Sequence, residues 1–119
     1  MAKRAFFMRR LNDHIQYLKK MDATLKGEED FQGTNHRGCK LGQWLYSEGW
    51  AEVSAMENSK ATEVFQSLLE PHERFHLLSN DALEKKQAGD ERAAQKIFTE
   101  LHVLSHTLTN KLLELDGLN

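Results

Sequence analysis

A single cysteine, Cys39, stands in 119 residues, so no intrachain disulfide is possible. A lone thiol suits a reducing compartment and makes ligand or redox chemistry the question to ask. No apolar run approaches the roughly 18 residues that a membrane span needs. Lys3, Arg4, Arg9 and Arg10 make the start basic, but Ala5-Phe6-Phe7-Met8 is too short for the apolar core of a signal peptide. The net charge of -2 gives no electrostatic case for nucleic acid. There is no internal repeat, low-complexity tract or linker. These absences leave a soluble chain, expected in the cytoplasm, whose residues 1–119 form one domain long enough for its own core.

Histidine is what the chain has in excess, with six residues. Two pairs, His72/His76 and His102/His106, have the four-residue spacing that puts two imidazoles on one helix face about 6 Å apart. Helical phase distinguishes them. From about Lys3 to Lys26, the residues Phe7, Leu11, Ile15, Leu18, Met21 and Leu25 form one stripe at about 100° per residue. His14 falls at its centre, where the plain alternative is a core histidine satisfied by a carbonyl. Gly27 ends this helix, and residues 27 to 38 are expected to be a loop.

Cys39 to Tyr46 reads as a short helix with Leu41, Trp44 and Leu45 on its apolar face. A cysteine at a helix start has its thiolate favoured by the dipole. Gly42 lowers helix propensity, which points to a backbone or side chain packed close against it. Trp50 to Asn58 is expected to be loop, with room for a helical turn.

A long helix is expected from about Ser59 to Ala88, with Ala61, Phe65, Leu68, Leu69, Phe75 and Leu83 on one broad face that includes His72 and His76. Pro71 removes one backbone donor directly before His72 and should kink or restart the helix. After the turn at Gly89, Asp90 can cap a last helix with the stripe Ile97, Leu101, Leu104, Leu108, Leu112 and Leu115, ended by Gly117. His102 and His106 lie about 120° and about 160° from that stripe's centre, so both point to solvent or a partner. The expected fold is all-α: a four-helix bundle with an additional short helix carrying the cysteine.

Buried imidazole without partners is costly. His14, His72 and His76 sit in core stripes on two helices, and Cys39 opens a third. Three imidazoles and one thiolate converging in a bundle core fit tetrahedral Zn2+; four independent structural residues remain the alternative. His36, in the glycine-rich loop and off every stripe, is expected at the surface.

The pattern His14-Ile15-Gln16-Tyr17, then Cys39-x-Leu41-Gly42-x-Trp44-Leu45-Tyr46, then Pro71-His72-x3-His76 resembles the chemoreceptor zinc-binding (CZB) domain family. Ala88-Gly89-Asp90, Leu104-Ser105 and Leu112-Leu113-Glu114-Leu115 are similar to its closing helix. One departure is a longer Cys39–His72 interval, which points to an insertion in the Trp50–Ser59 region. The resemblance implies a bacterial cytoplasmic module that binds zinc through His14, Cys39, His72 and His76 and acts in signal transduction of the chemotaxis or cyclic-di-GMP type. In some receptors of the family the zinc-bound cysteine responds to hypochlorous acid. Some members dimerise, so a homodimer is among the implied partners. The output passes to a signalling domain in cis if the chain is a fragment, or in trans if it is whole. No membrane insertion is implied.

Three rival readings follow from the same residues. If Cys39 were not a ligand, His14, His72 and His76 would leave the open position of a catalytic zinc, but no accompanying base is evident and no enzyme is expected. A hemerythrin-like di-iron bundle needs five histidines and two bridging carboxylates, and the inner faces lack a second helix with His-x3-Glu. A helical interaction module with no sensing role, zinc-stabilised or metal-free, is the third.

Overall fold

Tertiary partners, more than periodicity, decide which face of the first helix is buried. The computed structural model describes residues 6–119, so the expected helical start at residues 3 to 5 lies outside the described residues. Helix α1 spans Phe7–Leu25 and buries Phe7, Leu11, His14, Tyr17, Met21, Thr24 and Leu25. The inner face is therefore rotated from the expected stripe: Ile15 is 36% exposed and Leu18 only partly buried. Tyr17 displaces them because its ring meets Phe31, Phe75 and His76 edge-on, and its hydroxyl accepts from the Thr34 N–H at 2.9 Å. Aromatic pairs of this kind add about 0.5–1.5 kcal/mol beyond area burial.

Helix α2 spans Lys40–Leu45, with Cys39 as its N-cap. Helix α3 spans Gly49–Ser54, so the stretch expected to be loop with a helical turn opens on a helix that starts at Gly49. Six residues are too few for a periodic signal, and packing fixes them instead. Val53 is fully buried, the Trp50 ring lies 5.9 Å from Phe65, and the Trp44 indole N–H donates to Glu52.

Helix α4 spans Ser59–Gln87, capped by the Asn58 side chain, which accepts from the N–H groups of Lys60 and Ala61. It runs unbroken through Pro71, so the expected local restart does not occur. Gly89, at φ +82°, makes the turn into α5, Glu91–Leu118. Asp90 caps α5 as expected, accepting from the Ala93 N–H at 3.1 Å. The helix continues past Gly117, and its buried face is Ala94, Phe98, Leu101, Ser105, Leu108, Leu112 and Leu115. Ile97 and Leu104 flank that face, partly buried.

The three-residue turn makes α4 and α5 antiparallel neighbours. Helix α1 packs on both, α2 packs on α1, α3 packs on α4, and α2 touches α3. The two short helices thus bridge the long ones in an all-α bundle of 53 × 20 × 18 Å, with no strand among the described residues. His14 lies near the middle of α1, and His72 and His76 near the middle of α4.

Candidate metal centre

Cys39 is positioned by the local chemistry of a helix start. Its sulfur accepts from the Gly42 N–H at 3.2 Å, as an N-cap side chain does. Gly42 is required by what lies against it: a Cβ there would stand 1.8 Å from the His36 carbonyl oxygen. The close approach expected at Gly42 is therefore to backbone. The same carbonyl lies 3.9 Å from the Cys39 sulfur and accepts from it in the thiol form. The loop and the first turn of α2 form one unit that holds the sulfur.

His72 and His76 reach the sulfur from α4. Nε2 of His72 is 3.3 Å from Cys39 Sγ. With Zn–S near 2.3 Å and Zn–N near 2.0–2.1 Å, two ligand atoms on a tetrahedral zinc stand roughly 3.5 Å apart. The observed pair has that spacing without further movement. Cys39, His72 and His76 each offer one ligand atom, all within 4.8 Å of one another, and all three residues are buried.

His14 is brought beside this trio but is not part of it. It lines the same cavity as Cys39 and His76, and its ring packs on Phe75 with centroids 4.8 Å apart. Its Nε2 pairs with Ser105 Oγ at 2.9 Å, which leaves Nδ1 as the available nitrogen. The satisfying group is a hydroxyl from α5, not the carbonyl that a plain core histidine was expected to find.

Second partners fix the rings. His76 Nδ1 lies 3.0 Å from the Thr34 carbonyl and donates to it, so its bare nitrogen is Nε2. That carbonyl also accepts from Asn80 Nδ2 at 3.1 Å and from the Tyr17 hydroxyl at 3.4 Å. Gly33 makes the approach possible, at φ +76°, with a Cβ position only 2.5 Å from Asn80 Oδ1. His72 Nδ1 has no partner although it is buried. Sequence reasoning missed Ser105 and Thr34. Ser105 left a signal, a polar residue between Leu101 and Leu108 on a buried stripe; a backbone carbonyl in a loop leaves none.

The electrostatics favour neutral imidazoles. Burial, then the charge of His76, lowers His14 from 6.5 to about 4. Burial, then His76, His14 and His36, lowers His72 to about 3. Burial lowers His76 to about 4, against the Thr34 hydrogen bond. All three are thus bare bases at neutral pH, the form that ligates metal. Cys39 departs from expectation: burial raises its thiol, and the Gly42 N–H opposes this only in part. Without metal the N–H groups of the helix start do not outweigh desolvation. Metal ligation would have to displace that proton.

A family model for the chemoreceptor zinc-binding domain matches residues 14–83. The chain belongs to this family. The match begins at His14 and spans Cys39, His72 and His76. It ends at Leu83, so the likeness noted for Ala88-Gly89-Asp90 and the closing helix lies outside it. Comparison with curated proteins and with solved structures gives no match. As a member of the CZB family, the protein carries a zinc-binding domain of signalling proteins, and its Cys39–His72–His76 cluster can hold a metal. Among the described residues no helix is long and apolar enough to cross a membrane.

Of the remaining histidines, His36 borders the site through its carbonyl and is half-buried rather than at the surface as expected, with its ring edge-on to Tyr46 at 5.5 Å. His102 and His106 are exposed on α5, the first against Phe98.

Proposed function

We propose that the chain is a cytoplasmic sensory domain whose zinc is held by His14, Cys39, His72 and His76. The observation that carries this reading is the 3.3 Å approach of Cys39 Sγ to His72 Nε2, with His76 within the same cluster. When bound, zinc supplies a divalent charge that favours the thiolate and ties three helices at one point. The chain's own residues do the rest. His14 brings α1, Cys39 brings α2, and His72 with His76 brings α4. Ser105 and the Thr34 carbonyl orient two of the rings, in the manner of outer partners in metal sites. A structural zinc contributes on the order of 10–16 kcal/mol near neutral pH, as much as a typical domain's whole stability of about 5–15 kcal/mol. Occupancy therefore governs whether α2 stays docked.

Cys39 is the corner that chemistry can remove. Hypochlorous acid would oxidise the thiolate by two electrons, its chlorine passing to sulfur and the S–Cl bond then hydrolysing, so that RS⁻ and HOCl give in net a sulfenic acid and chloride; the oxidised sulfur binds more weakly than a thiolate. Release of α2 from α1 is then the signal, read by a signalling output domain in cis or in trans, within a homodimer.

Metal analysis of the purified chain tests the ligand set. One zinc per chain is expected, with most of it lost in His14→Ala, Cys39→Ala, His72→Ala and His76→Ala, and none lost in His102→Ala. Equal loss with His102→Ala overturns the assignment. Retained zinc with a fully oxidised Cys39 removes the redox role and leaves zinc binding standing.

A further inference from the structure

The zinc ligands are not equally hidden. His72 is 0% exposed and does not line the neighbouring cavity, whereas Cys39, His14 and His76 all do. The cavity opens between α1, through Asn12, Gln16 and Lys20, and the segment from Phe31 to Leu41. Its volume is about 260 Å³, just under the roughly 300–1,000 Å³ of pockets for drug-sized ligands. It has room for a molecule of a few heavy atoms. Its charged residues are Asp13, Lys20 and Lys40. Asp13 is partly offset by Arg10 at 3.8 Å, and Lys20 is held over the Phe31 ring at 5.8 Å. The opening is therefore net positive.

We propose that this cavity is the route by which small reactants reach the Cys39 sulfur, and that Lys20 and Lys40 select anionic over neutral ones while Gln16 sets the size limit. The proposal deepens the zinc reading above, because it names what can act on that site. His72 closes the far side, so an arriving electrophile meets sulfur on the side facing α1. His76 and His14 border the floor, but each has one nitrogen engaged, by Thr34 and by Ser105.

Alkylation of the zinc-loaded chain tests it with two reagents of equal size, neutral iodoacetamide and anionic iodoacetate. In both, the sulfur forms a bond to the methylene carbon, the carbon–iodine bond breaks, and iodide leaves with the electron pair. Rates are read as mass added at Cys39, with the same chain in urea as the reference for an open thiol. The folded protein is expected to favour iodoacetate relative to that reference. Reversing both charges, Lys20→Glu with Lys40→Glu, is expected to lower the iodoacetate-to-iodoacetamide ratio about three- to tenfold. Gln16→Phe and Gln16→Trp are expected to slow both reagents in order of side-chain size, at unchanged helicity. Lys19→Trp, exposed on α1 and outside the cavity, is expected to leave both rates as they are. Wild-type rates in Gln16→Trp, or a ratio indifferent to charge reversal, overturn the route. The same measurement on chelator-stripped protein keeps this separate from the zinc reading: a chain without zinc fails that reading on metal analysis, while the dependence on Gln16, Lys20 and Lys40 still decides the route.

Discussion

Replacing Gly42 by alanine adds one methyl group and tests how the cysteine is aimed. At an ordinary helical position Gly→Ala stabilises by about 0.5–1 kcal/mol, because the unfolded chain has less freedom to lose. Here the new Cβ would stand 1.8 Å from the His36 oxygen, 2.9 Å from its carbonyl carbon and 3.3 Å from Arg37 Cα. Reaching van der Waals distance requires a separation of roughly 1.6 Å. All three obstacles are backbone, so no side-chain rotation relieves them. The loop must leave α2, and the sulfur, held between the His36 carbonyl and the Gly42 N–H, moves with one or the other. Ligand distances in metal sites tolerate about 0.2 Å. Overpacking of this kind costs about 1–3 kcal/mol, and misplacing a ligand's support costs about 10–100-fold in metal affinity. Gly42→Ala is thus expected to lower urea stability by about 1–3 kcal/mol and zinc affinity, measured by chelator competition, at least tenfold. Gly117→Ala, with nothing within 4 Å of its Cβ position, is the control and is expected to be neutral or stabilising. A Gly42→Ala protein with wild-type affinity and a higher melting temperature would refute the reasoning.

Two further outcomes follow. The three histidines titrate below their unfolded value of 6.5, so the unfolded chain binds more protons, and their contribution to stability is complete above pH 6.5 and lost as pH falls toward about 4 and, for His72, about 3. With three protons taken up on unfolding, metal-free protein is expected to lose up to about 4 kcal/mol per pH unit in that window; urea midpoints at pH 7, 6 and 5 check this, and a flat series contradicts it. Ser105→Ala leaves buried His14 Nε2 without its partner and is expected to cost about 1–3 kcal/mol and to weaken zinc binding about 10–100-fold; equal affinity would mean that α5 plays no part in orienting His14.

The long helices, the Asp90 cap of the last one and the inward aim of His72 and His76 were legible because a 29-residue helix repeats its pattern many times. The exposure of His102 and His106 followed from the same phase argument. Helix α3 was not legible, since its six residues are held from elsewhere in the chain, Glu52 by the Trp44 indole and Trp50 by the Phe65 ring. Ile15 was placed in the core because hydropathy ranks it above His14 and Tyr17. His14 is buried as its place in the stripe implied, but Tyr17 takes the place expected of Ile15 through partners that no local pattern reveals: Thr34, Phe31 and Phe75. The thiol was read as activated because a helix start was visible and its burial was not.

The central claim is that one thiolate and three imidazoles converge on a single ion. Cobalt substitution tests it directly, since a thiolate bound to cobalt gives a charge-transfer band and tetrahedral geometry gives intense visible absorption. Both features are expected at one equivalent of cobalt, with the charge-transfer band lost in Cys39→Ser and the tetrahedral spectrum altered in His14→Ala. A spectrum without the sulfur band, or one indifferent to His14, would contradict the four-ligand site.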